Sequence, residues 1–136
     1  MIKSDEQRGR TLARIAGFRF ALAKSEAETS GKRAAVLRGS YEGMIRQLEE
    51  EVAEYDKLKT GKLALPAIDR LDRTAPVIVK LRIAKGVSQA ELAKRLGVTK
   101  QVISRHEEDD YQAVSIVRLQ EILDAMGIKA KVKLTV

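Results

Sequence analysis

The sequence predicts a mainly α-helical protein: an N-terminal antiparallel helical hairpin, a linker, a small helical bundle and a short C-terminal β-strand. Three observations carry this. Apolar residues recur at three- and four-residue spacing from Leu12 to Met126. Turn-forming residues interrupt that spacing at Thr29–Gly31, between Gly61 and Pro66, and at Gly86, Gly97 and Gly127. After Gly127 the period switches to two, with Ile128, Ala130, Val132, Leu134 and Val136 alternating with Lys129, Lys131, Lys133 and Thr135.

The first helix is expected to start near Asp5, because Ser4 and Gln7 have the spacing of a capping box. Leu12, Ile15, Phe18 and Leu22 form its apolar stripe. A second helix runs from about Lys32 to Lys59, with Leu37, Tyr41, Met44, Leu48, Val52, Tyr55 and Leu58 as a near-heptad seam. At 1.5 Å per residue it is roughly 40 Å long. The two helices are read as a hairpin over residues 1–65, used for partner binding or dimerisation. A hairpin alone buries little area, so its surface is expected to meet something else. GKLALPAIDRLDRTAP follows as a linker, with the domain boundary near Pro66 and partial packing through Leu63, Leu65, Ile68 and Leu71.

Residues 66–136 form the second predicted domain. Its first helix begins near Thr74, with Pro76 tolerated in the first turn, and ends at Gly86. The stretch Ser88–Glu107, SQAELAKRLGVTKQVISRHE, is the most informative in the chain. Ser88 and Glu91 form a capping box. Leu92, Ala93 and Leu96 share one helical face, and Gly97 takes the left-handed turn at no steric cost. Thr99 can cap the next helix, whose buried side carries Ile103. Two short helices across a tight Gly turn make a helix-turn-helix, with the small Ala93 at the crossing point. The acidic loop EEDDYQAV follows. Ser115 then caps a helix carrying Ile116, Leu119, Ile122, Leu123 and Met126. The alternating C-terminal strand has no counterpart of similar quality in the chain. Pairing with its own copy in a two-fold dimer is the economical way to satisfy its backbone, burying Val132 and Leu134.

From Ala75 to Gly127 the sequence resembles the Cro/repressor (XRE-like) helix-turn-helix family. The resemblance implies a duplex-DNA-binding domain. In it Gln89 touches a phosphate, Thr99 starts the recognition helix, and Lys100, Gln101, Ser104 and Arg105 face base edges. It also implies that Arg82 and Glu107 pair, tying the first helix of the domain to the end of the third. His106 departs from the pattern, standing where the family usually places Leu or Ile. An XRE-like domain followed by a short strand, on a chain of this size, is similar to HigA-like antitoxins. That implies a protein that neutralises a small ribonuclease toxin and represses its own operon; the two-fold dimer expected from the C-terminal strand would require a palindromic operator. The other reading is a stand-alone XRE-type repressor with an N-terminal dimerisation arm.

Composition narrows the classes. The net charge of +7 and pI of about 9.8 favour a polyanionic partner. Aromatic residues make up only 4%, too few for base-stacking platforms on single strands. There is no Cys and one His, so neither a disulfide framework nor a zinc site is expected. No catalytic arrangement, P-loop or dinucleotide fingerprint is found, and no cofactor is expected. No apolar run reaches the roughly 18 residues of a membrane span and no signal-peptide core is seen, so a cytoplasmic protein is expected. Glu49, Glu50, Glu51, Glu54 and Asp56 form an acidic run on the long helix. Under the antitoxin reading Glu49, Glu50, Glu51 and Glu54 meet a basic toxin, with Tyr41 and Tyr55 as apolar anchors. The plain alternative is a solvated face.

Overall fold

The computed structural model describes residues 1–136 as six α-helices with no β-strand. The chain divides into two compact units, Met1–Lys57 and Leu58–Val136.

In the first unit, α1 (Asp5–Glu28) starts at Ser4, whose Oγ accepts from the Gln7 amide at 3.1 Å. Gln7 Oε1 in turn accepts from the Lys3 amide, so this N-terminus is satisfied from both sides. After Thr29 and Ser30 the chain reverses, and α2 (Gly31–Lys59) begins at Gly31 with φ of 75°. Cross-links between the helices establish an antiparallel hairpin. The Tyr55 hydroxyl donates to Asp5, Arg8 holds Asp56 in a fork, Arg19 pairs with Glu49, and Arg38 pairs with Glu26. The Phe18 and Tyr41 rings pack at 6.2 Å. Thr11, Ile15, Ile45, Leu48, Val52 and Tyr55 are buried. Ile45 rather than Met44 occupies the seam, and Leu12 lies outside it. Spacings of three and four both fit a helical face, and the facing helix selects between them.

In the second unit the last residues of α2, with Leu58 buried, lead into exposed, irregular chain. Of the expected linker contacts only Leu63 is half-buried, while Leu65, Ile68 and Leu71 are exposed. One 3-10 turn spans Leu71–Arg73, and a second, Ala75–Val77, holds Pro76 and leads into α3 (Ile78–Ala84). The missing Pro amide falls where a helix start has no intrahelical acceptor. Then follow α4 (Gln89–Leu96), α5 (Lys100–Glu108) and α6 (Ile116–Ala125). Ile78, Val79, Ile83, Leu92, Ala93, Ile103, Tyr111, Ile122, Leu123 and Met126 form the core, with α4 packed on both α5 and α6.

The expected C-terminal strand is not formed. After Ile128 the chain has no regular structure, and Val132 and Leu134 are 66% and 83% exposed. The sequence alternation is real, but a strand needs a neighbour for its amides and carbonyls. No other strand exists in the chain to supply one.

Candidate nucleic-acid interface

The site is built from two short helices and the turn between them. Ser88 Oγ accepts from the Glu91 amide at 3.0 Å and starts α4. The helix stops at Gly97, in the left-handed region at φ 69° and ψ 30°. The Gly97 and Val98 amides return to the carbonyls of Lys94 and Ala93, closing the helix end. Thr99 has the extended backbone of an N-cap, yet its side chain makes no capping hydrogen bond. Its carbonyl accepts from the Val102 amide at 3.1 Å.

On α5, Ile103 and Glu107 point inward and are buried. Gln101 and Arg105, four residues apart, share the exposed outer face. Lys100 is exposed in the first turn, and Ser104 is half-buried on the flank. The structure thus brings Lys100, Gln101, Ser104 and Arg105 together on the N-terminal two turns of one helix. Glu108, Asp109 and Asp110 lie at its other end, about 13 Å of helix away from Lys100.

Behind this face lies a buried polar cluster. Arg82 on α3, 2% exposed, donates from Nε and Nη2 to the two Glu107 carboxylate oxygens at 2.5 and 2.9 Å. Its Nη1 donates to the Val87 carbonyl at 2.8 Å. The expected Arg82–Glu107 link between the first and third helices of the domain is therefore present and fully desolvated. Gln89 is 9% exposed, and its Nε2 donates to Glu107 at 3.1 Å. The Tyr111 hydroxyl lies 3.4 Å from the same carboxylate. No buried side-chain nitrogen or oxygen in the chain is without a partner.

Tyr111 is the residue that sequence reading missed. Asp110 and Tyr111 both take positive φ, 53° and 59°, and the Tyr111 amide returns to the His106 carbonyl. This turn drives the ring inward, 5.8 Å from the His106 ring. Burial, reinforced by the Glu107 charge, pushes the phenol well above its ordinary range, against the opposing effect of Arg82. A lone aromatic inside an acidic loop was the available signal. His106 is half-buried beside it.

The residues expected to meet a toxin are dispersed. Tyr55 is buried in the hairpin with its hydroxyl on Asp5, and Tyr41 is half-buried against Phe18. Glu49 is paired with Arg19, and Glu51 lies 3.9 Å from the N-terminal ammonium. Glu50 and Glu54 are exposed. No group of acidic or His side chains could hold a metal ion. No helix is long and apolar enough to cross a membrane.

A capped helix, a left-handed Gly turn and a second helix with a polar outer face define a helix-turn-helix. Residues 78–132 match a family model described as helix-turn-helix. The match takes in α3 to α6, so this segment is similar to helix-turn-helix domains. It covers less than half of the chain. No curated protein and no solved structure matches the chain.

Proposed function

We propose that the protein is a sequence-specific regulator that binds duplex DNA, with α5 as the helix that enters the major groove. The observation that carries this is the exposed outer face of α5, held from behind by a desolvated Arg82–Glu107 pair. Arg105 and Lys100 are suited to the acceptors of guanine, and Gln101 to the donor–acceptor pair of adenine. Ser104 closes against whichever base edge or phosphate lies beside it. Thr99 and the first backbone amides of α4 and α5, which helices leave without internal acceptors, face phosphate. The Gln89 amide nitrogen is committed to Glu107, so Gln89 supports phosphate binding by holding the start of α4 in place. One helix of this length reads only a few base pairs, and two copies on a palindromic operator are the arrangement we infer. The test is selection of preferred duplexes from a random pool. Arg105→Ala should relax the preference, whereas Gln89→Ala should weaken binding to all sequences alike.

For the first unit we favour a protein-docking role, which under the antitoxin reading means a small basic ribonuclease toxin. Support comes from the outer face of α1, where Leu12 is exposed and Phe20 is 74% exposed among Ala13, Ala16 and Ala23. Exposed Glu50 and Glu54 on α2 supply acidic character. Such charges speed encounter, and apolar anchors supply affinity. Co-expression of the full chain with the product of the adjacent gene tests it. Co-purification that Phe20→Ala abolishes supports docking. A chain that represses transcription but captures no adjacent product is a stand-alone repressor.

A further inference from the structure

We propose that Ile128–Val136 is a basic arm that follows the phosphate backbone of duplex DNA beside the helix-turn-helix. The arm rests on the DNA-binding reading above and adds a second contact to it. From Lys129 onward every residue is exposed, and the segment has no regular structure. It carries Lys129, Lys131 and Lys133, and no acidic residue follows Asp124. Three like charges within five residues repel one another, which favours an extended chain over a folded one.

The base of the arm is firm. Gly127 turns the chain at φ 67°, and the Ile128 amide returns to the Leu123 carbonyl at 2.9 Å. Arg95, in the last turn of α4, donates from Nη1 to the Ala125 carbonyl at 2.9 Å. That bond ties the end of α6 to the stretch leading through Gly97 into α5. The arm therefore leaves the domain near the turn from which the recognition helix starts. Its eight residues after Ile128 reach at most about 26–29 Å. Extended chain sets alternate residues about 6.7 Å apart, which puts the three ammonium groups on one edge. Along the contour of a DNA strand neighbouring phosphates lie farther apart than their axial rise of about 3.4 Å and close to this lysine spacing, so successive lysines can meet successive phosphates.

The experiment uses the full chain and two duplexes of equal length, one carrying its selected site and one scrambled. Affinity is measured from 50 to 200 mM salt. Replacing three phosphate-contacting lysines should lower the salt slope by about 2.7. The Lys129→Gln/Lys131→Gln/Lys133→Gln chain should thus lose about 40-fold less affinity across that range than the wild type. The change should be the same on both duplexes, with sequence preference and melting temperature unaltered. The corresponding triple Lys→Arg chain should keep the wild-type slope. A Gln variant with the wild-type slope, on a protein that still prefers its site, overturns the arm. So does a Gln variant that loses sequence preference, since the lysines would then act on bases or on α5. A wild-type chain that prefers no duplex overturns the DNA-binding reading instead.

Discussion

Glu107 is the residue on which the helix-turn-helix unit turns. Its carboxylate is wholly removed from water and takes hydrogen bonds from Arg82, Gln89 and Tyr111. Arg82→Ala leaves that charge without its counterion, and breaking a buried pair in this way costs about 3–5 kcal/mol. Urea unfolding should register the loss. A double replacement, Arg82→Met with Glu107→Leu, should recover only part of it, because no lone charge is then left buried but the Gln89 amide, the Tyr111 hydroxyl and the Val87 carbonyl lose their partner. Tyr111 gives a second test. Its phenol is held above the ordinary value of 10.0, so the folded state favours the protonated form. Its contribution is complete below pH 10 and is lost as pH rises toward the folded value. Alkaline unfolding followed by circular dichroism should begin above about pH 10, and Tyr111→Phe should delay it. Near pH 7 the same substitution should cost about 1 kcal/mol or less, since the 3.4 Å contact is a weak hydrogen bond.

At the scale of elements, α4, its Gly turn and α5 were legible in the sequence because their signals are local. Ser88 capping, the Leu92–Ala93–Leu96 face and Gly97 each act within a few residues. Gly97 takes φ of 69° with open space around its Cβ position, so Gly97→Ala meets backbone strain alone. A left-handed residue with a Cβ costs about 1–2 kcal/mol, which thermal unfolding should detect. The hairpin was legible as an element and less so in register, since Ile45 could not be told from Met44 without the opposing helix. The inward turn of Gln89 depends on Glu107, eighteen residues away, and cannot be derived from neighbours in sequence. Tyr111 lies only four residues from Glu107, and its sole sequence signal was a lone aromatic in an acidic loop. The C-terminal strand failed for a related reason. Alternation describes a surface that would suit a sheet, whereas the strand itself requires a partner. In the hairpin, the Arg8 hydrogen bonds hold Asp56 below its ordinary value of 3.8. Its contribution is present above that value and is lost as pH falls through the lower, folded one. Acid titration of hairpin helicity should show the loss, and Asp56→Asn should remove that part of the pH dependence.

In the whole molecule, the proposed function assigns two roles: the net charge of +7 attracts DNA without regard to sequence, and α5 confers the choice of sequence. These are separable quantities, and the central claim concerns the second. The most direct measurement compares wild type with Lys100→Ala/Arg105→Ala on the selected duplex and on a scrambled one, at fixed salt. Each good base contact contributes roughly 1–3 kcal/mol of discrimination. The double variant should therefore bind the two duplexes with nearly equal affinity while keeping the wild-type fold by circular dichroism. A folded double variant that retains the full wild-type preference would contradict recognition by α5.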